Sequence, residues 1–338
     1  MIADDVHVDY SAIEKSLAEL WRGEKQDGEK AVTRAALWNV IAHTWDSHEH
    51  SNASETLAKA SAAVPQRTIV IRSAPAGEAE MSSWISANCH LIGGNKQVCS
   101  EEISIVAGGH RVHDVAPLVN ALLIPDMPVA VWWLGDLPHE QGKYVETLLD
   151  PADRLIVDSR SFDDPRDLAL LQRIASSTTT APADLSWVRL EEWRAATAGL
   201  FDAPEARARL QRVRSVRVVH GGDGRFGWTA EAWLYVAWLM VQSGNYEIDF
   251  DIAHDSDAKG IASTQLTFDD LSTADISRDR ERGVVVAQAG EVTPFECVTR
   301  VQGRGQEDLI VRQLKRPEAD RVYMKALPVA TELSNGTG

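Results

Sequence analysis

With 338 residues, 44% of them hydrophobic and 25% charged, the chain has ordinary globular composition and room for two domains with a sizeable core. Its 50 acidic against 34 basic side chains give a formal charge of -16, which repels phosphate backbones and anionic lipid and argues against nucleic-acid or membrane-surface partners. Three cysteines without a C-x-x-C spacing form neither a disulfide framework nor a zinc site, and with no signal-like leader or bilayer-length apolar run the expectation is a soluble, cytoplasmic protein.

Residues 9–22 place Ile13, Leu17, Leu20 and Trp21 at helical spacing, with Ser11 and Glu14 as a capping box. A second helix is expected over 32–44, carrying Leu37, Trp38, Val40 and Ile41. Together they make a helical arm, residues 1–50. The stretch HTWDSHEHSNASE follows. His43, Asp46, His48, Glu49 and His50 are all metal-ligating types, but their spacing fits no zinc pattern, so no metal is expected and a solvated loop is the reading adopted.

An α/β domain is expected over 51–203. A short helix opens at Ser54 and Glu55 and runs to Ala63. A core strand covers 68–72, a segment of ambiguous period covers 78–90, Gly93-Gly94-Asn95 is a turn, and a strand covers 102–106. A helix over 112–122 then leads into LIPDMPVAVWWLG at 123–135. There Pro125 and Pro128 end the helix and hold Asp126 on a stiff turn. The unalternating apolar run at 129–133 reads as a strand covered on both faces, in a largely parallel sheet flanked by helices. A helix over 140–149, a buried strand over 154–159, a helix over 165–176 and a loop over 178–183 follow. Asp184 caps a helix bearing Trp187, Leu190, Trp193 and Leu200. The crevice at the carboxyl ends of such strands collects Ser73, Trp133, Gly135, Asp158 and Ser159.

A smaller α+β domain is expected over 204–330, with its boundary near Pro204. It opens on five arginines, Arg207, Arg209, Arg212, Arg214 and Arg217, read as a solvated helix face rather than a patch for an acidic partner. Strands at 216–220, 246–253, 260–268, 283–289 and 295–301 surround an apolar helix at 229–243. One more strand is read at 309–314 and a disordered tail over 331–338.

Gly222, Gly224 and Gly227 satisfy the spacing of a dinucleotide-binding turn, with Asp249 and Asp251 following. Phe226 and Trp228 crowd that turn, and Asp223 would sit beside the pyrophosphate. A plain glycine turn is therefore preferred, and no cofactor is expected. No G-x-S-x-G, Walker or H-E-x-x-H motif is present, and Cys99 lies beside Glu101 and Glu102, which disfavour a reactive thiolate. The rival reading is an α/β enzyme that binds a nucleotide or sugar phosphate through the glycine turn or the Asp158 crevice. Eleven tryptophans are the compositional oddity, read mostly as core.

Ordered along the chain, VCSEEI at 98–103, PDMPVAVWW at 125–133, DRLIVDS at 153–159, DLSWVRLEEWR at 184–194 and LFD at 200–202 resemble the OpcA family of glucose-6-phosphate dehydrogenase assembly proteins. DYSAIEKSLAELWR at 9–22 and FECVTRVQG at 295–303 extend the resemblance over nearly the whole chain. The resemblance implies a non-enzymatic cytoplasmic factor that binds the dehydrogenase and promotes its active oligomer, with no catalytic constellation to carry over. It marks Arg67, Glu101, Asp126, Trp132, Trp133, Asp158, Ser159, Trp187, Arg189, Trp193 and Arg194 as the contact surface or its support. Two departures stand out. Val64-Pro65-Gln66-Arg67 replaces the family's His-Pro-x-Arg, and Ser100 replaces one of two paired cysteines, which argues against thiol-based regulation.

Overall fold

The structure is a computed structural model that describes residues 10–26, 31–92, 96–138, 143–162, 166–221, 230–290, 295–300, 305–316 and 318–335. In chain order its elements are α1 (Tyr10–Gln26), β1 (Ala31–Arg34), β2 (Trp38–Thr44), α2 (Ser47–Ala60), β3 (Gln66–Ala74), β4 (Met81–Ile92), β5 (Lys96–Gly108), α3 (Val112–Leu122), β6 (Val129–Trp133), α4 (Lys143–Leu149) and β7 (Arg154–Val157). They continue with α5 (Arg166–Ser177), β8 (Ala181–Asp184), α6 (Leu185–Arg189), α7 (Glu191–Gly199), α8 (Pro204–Leu210), β9 (Val213–Gly221), α9 (Ala230–Ser243) and β10 (Asp249–His254). Last come β11 (Gly260–Phe268), β12 (Thr273–Asp279), β13 (Val284–Ala289), β14 (Phe295–Arg300), α10 (Gln306–Leu314) and α11 (Arg321–Asn335). The described residues divide into two units. Met1–Val157, Thr178–Ala183 and Gly305–Glu318 contribute to the first; Asp158–Ser177, Asp184–Arg304 and Ala319–Gly338 contribute to the second. The boundary expected near Pro204 falls inside the second unit.

The first unit is α/β. Its sheet runs β5-β3-β2-β6-β7-β8, parallel wherever β2, β3, β5, β6 and β7 pair. On the far side of β5, β4 pairs antiparallel, and β1 pairs parallel with the start of β5. Counted from β2, this is the 3-2-1-4-5-6 order of doubly wound nucleotide-binding folds, whose switch point lies between β2 and β6. All seven residues of β2 and all five of β6 are buried, as strands covered on both faces must be.

The helix expected over 32–44 is therefore corrected to two strands, β1 and β2. A short apolar run fits a buried strand or helix equally by period. Here the neighbours β3 and β6 decide, because each supplies a ladder that β2 completes. The expected solvated loop at 43–55 is corrected too. Asp46 caps α2 by accepting from the N–H groups of His48 at 2.7 Å and Glu49 at 3.0 Å, so the helix starts eight residues before Glu55. The strand expected at 309–314 is α10, with Glu307 and Asp308 in its first turn and Arg312 in its last, each charge complementing the helix dipole. The last residues of the loop expected at 178–183 form β8 instead. The ambiguous 78–90 segment resolves into β4. Residues 93–95, read as a turn, lie outside the described residues.

The second unit is α+β. Its sheet runs β10-β9-β11-β12-β13-β14, with β10 parallel to β9 and every other pair antiparallel. β12 was not anticipated, because Asp275, Arg278 and Asp279 mask the alternation that buries Ala274 and Ile276. α9 is buried nearly all round, as an unbroken apolar helix must be. The tail expected from residue 331 is corrected through Asn335. α11 continues to that residue with Thr331 and Ser334 buried, and residues 336–338 lie outside the described residues.

Candidate functional site

The topological switch point is where an α/β sheet of this order ordinarily receives a dinucleotide, on a glycine turn that leads into the first helix. In this chain that turn is Thr44-Trp45-Asp46-Ser47, with no glycine. The Asp46 carboxylate already occupies the helix-terminal N–H groups and would oppose an anion there. Thr44 Oγ1 donates to Glu49 Oε2 at 2.6 Å and adds a second acid. Aromatic rings pack against one another behind the turn. His43 stacks on Trp133 with centroids 4.1 Å apart and meets Trp45 edge-on at 4.6 Å, and Tyr144 lies 5.6 Å away. His43 Nε2 lies 3.2 Å from Ser73 Oγ, which lies 3.0 Å from the Tyr144 hydroxyl. Burial lowers the His43 pKa to about 3 and raises that of Tyr144, so the imidazole is neutral at physiological pH.

The five expected metal-ligating types do not converge. His43 turns to Ser73, Asp46 caps α2, and His48 pairs with Asn52 at 3.0 Å. Among the described residues no group of three or more histidine, cysteine or acidic side chains is placed to hold a metal.

Elsewhere in the first unit, Glu101 is 3% exposed and receives three donors. Arg67 Nε donates to it, Arg34 Nη2 donates at 2.8 Å and Trp21 Nε1 at 3.0 Å. Arg67 also donates to the Leu122 carbonyl at the end of α3, which ties that helix to the sheet. Trp132 and Trp133 are core side chains, 1% and 0% exposed. Asp126 is the exception among the marked residues, exposed on the turn before β6 at φ 63. Cys89 and Cys99 face one another across β4 and β5 and form a disulfide, which corrects the expectation of no bridge: their ten-residue separation puts them at paired hairpin positions. Cys297 is free.

In the second unit the marked residues gather into one network. Asp158 accepts a bidentate pair from Arg189 at 2.7 and 2.6 Å and a bond from Ser186 Oγ at 3.2 Å. Asp184 accepts from the N–H groups of Ser186 at 2.9 Å and Ser159 at 3.1 Å, so it caps α6 and fixes the turn after Asp158. Arg194 lies 3.7 Å over the Trp187 ring, whose Nε1 donates to Asp320 at 2.8 Å. Arg160 pairs with Glu231. Gly260, at φ +70, lies so close that a Cβ would come within 2.7 Å of that carboxylate. Trp193 is 6% exposed. The arginine run is no single helix face but spans the end of α8 and β9. Arg212 pairs with Asp269 at 2.8 Å, Arg217 with Asp251 at 3.5 Å, and Arg209 lies 4.4 Å over Phe268.

Gly222, Gly224 and Gly227 lie outside the described residues. Two family models match the chain in order. One is described as the N-terminal domain of a glucose-6-phosphate dehydrogenase subunit, over residues 57–173, and the other as the C-terminal domain of a glucose-6-phosphate dehydrogenase subunit, over 180–327. The chain belongs to the OpcA family. It is 29% identical over 214 residues to a protein from Synechocystis sp. named putative OxPP cycle protein OpcA, covering 59% of this chain and 43% of that protein. A protein of the same name from Synechococcus elongatus is 28% identical over 170 residues, covering 50% of this chain and 37% of that one. The chain thus spans under half the length of these curated relatives. Among solved structures, a 3-ketoreductase from Actinomadura kijaniata aligns with a TM-score of 0.49 at 9% identity, over 88% of this chain and 96% of that one. A biliverdin reductase from Synechocystis sp. aligns at 0.47 and 11%, over 88% and 98%. Likeness at that level carries no argument about this chain.

On this OpcA-family fold most of the marked residues are buried. The sequence did not single out the partners that complete them: Asp320, Tyr323 and Glu231 in the second unit, and Arg34, Tyr144 and Trp45 in the first. They lie far along the chain from the motifs they serve, and only Asp184 announced itself, as a helix cap.

Asp184 gives the network a pH signature. Burial, reinforced by the nearby Asp158 charge, raises its pKa from 3.8 to about 6, whereas the Arg189 guanidinium outweighs burial and holds Asp158 below the ordinary carboxylate range. A folded-state pKa above the unfolded value means that the native state binds the proton more tightly between pH 3.8 and about 6. The Asp184 contribution is therefore fully favourable below that window and declines as pH rises through it, by roughly 3 kcal/mol in all. His43 acts oppositely: its lowered pKa makes stability rise with pH between about 3 and 6.5. Asp184→Asn keeps a cap acceptor and removes the titration. Its urea-derived stability relative to wild type should climb from pH 4 to pH 7, and a difference that stays flat would show that Asp184 titrates normally.

Proposed function

We propose that this chain is a non-catalytic cytoplasmic factor that binds glucose-6-phosphate dehydrogenase, promotes its active oligomer and so activates it in the oxidative pentose phosphate pathway. The observation that carries this reading is the ordered match of both family models, each described by that dehydrogenase, over most of the chain. The occupied switch point supports the non-catalytic part. The turn that would cradle a pyrophosphate bears Asp46, Glu49 lies in the helix turn that follows, and behind them His43 stacks on Trp133.

A factor of this kind shifts its partner only by contacting the active arrangement better than the inactive one. A differential of about 1–3 kcal/mol suffices for a several-fold to hundredfold effect. The marked residues with accessible groups, Asp126, Arg189 and Arg194, are the proposed contacts, and the buried tryptophans hold them in place. No helix among the described residues is long and apolar enough to cross a membrane. Co-purification of the tagged chain with the dehydrogenase from the same organism tests the association. A stoichiometric complex on gel filtration is expected, and separate elution at micromolar concentrations of both would refute it.

A further inference from the structure

The carboxyl ends of β3 and β5 border a cavity of about 720 Å³, well within the range of small-molecule sites. Two guanidiniums line it: Arg72, one residue beyond Ile71 in β3, and Arg111, which immediately precedes α3. Glu78, Glu80 and Ser82 line it as well. Arg72 Nε is buried, and no described residue accepts a hydrogen bond from it. Burial closes Nε to the cavity, whereas the terminal nitrogens of the same guanidinium are not buried and form no hydrogen bond to a described residue, so they are the donors a ligand oxygen can reach. Arg111 pairs with Asp114 at 2.6 Å, but those side chains are 33% and 51% exposed, so that pair is weak and yields readily to a stronger acceptor.

The wall of the cavity is fixed by backbone. The Gly108 N–H donates to the Glu80 carbonyl at 2.8 Å, and a Cβ at Gly108 would come within 2.1 Å of the Glu78 carbonyl oxygen, so only glycine admits this approach. The lining side chains are charged, hydroxylic or small and aliphatic apart from Met81. None is aromatic, so a nucleobase has no stacking platform.

We infer that this cavity binds a small phosphorylated polyol, a sugar phosphate. The two guanidiniums take the phosphate through charge-assisted, fork-like bonds. Glu78, Glu80 and the Ser82 hydroxyl accept from the sugar hydroxyls. The same carboxylates disfavour a bare phosphate, which brings charge without hydroxyl donors to offset it. The cavity lining includes no residue of the switch-point turn, although Arg72 lies within electrostatic reach of Asp46; the site involves no turnover and does not depend on the partner reading, since the chain is tested alone.

Isothermal titration of the full chain with glucose 6-phosphate, glucose, inorganic phosphate and AMP tests this. Glucose 6-phosphate should bind saturably, inorganic phosphate more weakly, and glucose and AMP without measurable heat. Arg72→Ala and Arg111→Ala should each weaken glucose 6-phosphate by roughly tenfold or more. Arg111 is one-third exposed and pairs only with the half-exposed Asp114, so its variant is expected to fold and serves as the readout if Arg72→Ala is destabilised. No heat with any phosphate, equal binding of glucose and glucose 6-phosphate, AMP binding as tightly as the sugar phosphate, or unchanged affinity in a folded Arg111→Ala variant would each overturn the inference.

Discussion

Replacing Arg189 with alanine should lower the unfolding free energy by about 3–5 kcal/mol, the usual cost of breaking a largely buried pair on one side. Asp158 would keep its charge among Ser186 and the first turn of α6 with its two strongest bonds gone. The Asp158→Asn/Arg189→Met double variant should recover much of that loss, because the penalty belongs to the orphaned carboxylate rather than to the pair as such. A chemical-denaturation cycle over the single and double variants reads this directly. If Arg189→Ala costs under about 1 kcal/mol, the network does not organise the second unit, and a role for Arg189 in partner contact alone becomes the better account.

Trp133→Ala should cost about as much, 3–5 kcal/mol, because it empties the centre of the ring cluster that closes the switch point. Trp133 has no exposed surface, stacks on His43 and donates from Nε1 to the Asp136 carbonyl at 3.0 Å. A second effect separates this from generic core damage. With the indole gone, water reaches His43, the desolvation that lowers its pKa is relieved, and the imidazole should titrate nearer its ordinary value. NMR titration of His43 in the variant, at a temperature where it stays folded, checks that shift. Trp133→Phe should preserve both the stack and most of the stability. A Trp133→Ala chain that keeps its stability but loses its effect on the dehydrogenase would make Trp133 a contact residue, against its burial in the sheet.

Local pattern made some elements legible in the residues, and long-range pairing decided the others. The apolar run at 129–133 announced a strand covered on both faces, since nothing else explains two prolines followed by five residues without a polar break. α9 and the Asp184 cap were legible for similarly local reasons. β2 was not: its pattern is shared by a buried helix, and only pairing with β3 and β6, remote in sequence, selects the strand. α10 failed in the other direction, because Ile310 and Val311 favour strands intrinsically, whereas the segment packs on α2 as a helix. The tryptophans were only half readable. Their abundance suggested anchors, yet Trp132, Trp133, Trp187 and Trp193 turn inward. Arg72 and Arg111 carried no motif at all, because the cavity exists only once the connection from β3 to β4 is held against Gly108 at the end of β5.

The most direct test is the rate of NADPH formation by purified glucose-6-phosphate dehydrogenase as this chain is added, with the chain alone as control. The account predicts a saturable rise in the dehydrogenase rate at fixed substrate, accompanied by a shift toward a larger dehydrogenase assembly, and no turnover by the chain by itself. A rate unchanged at saturating chain, or substrate consumed in the control, would contradict it.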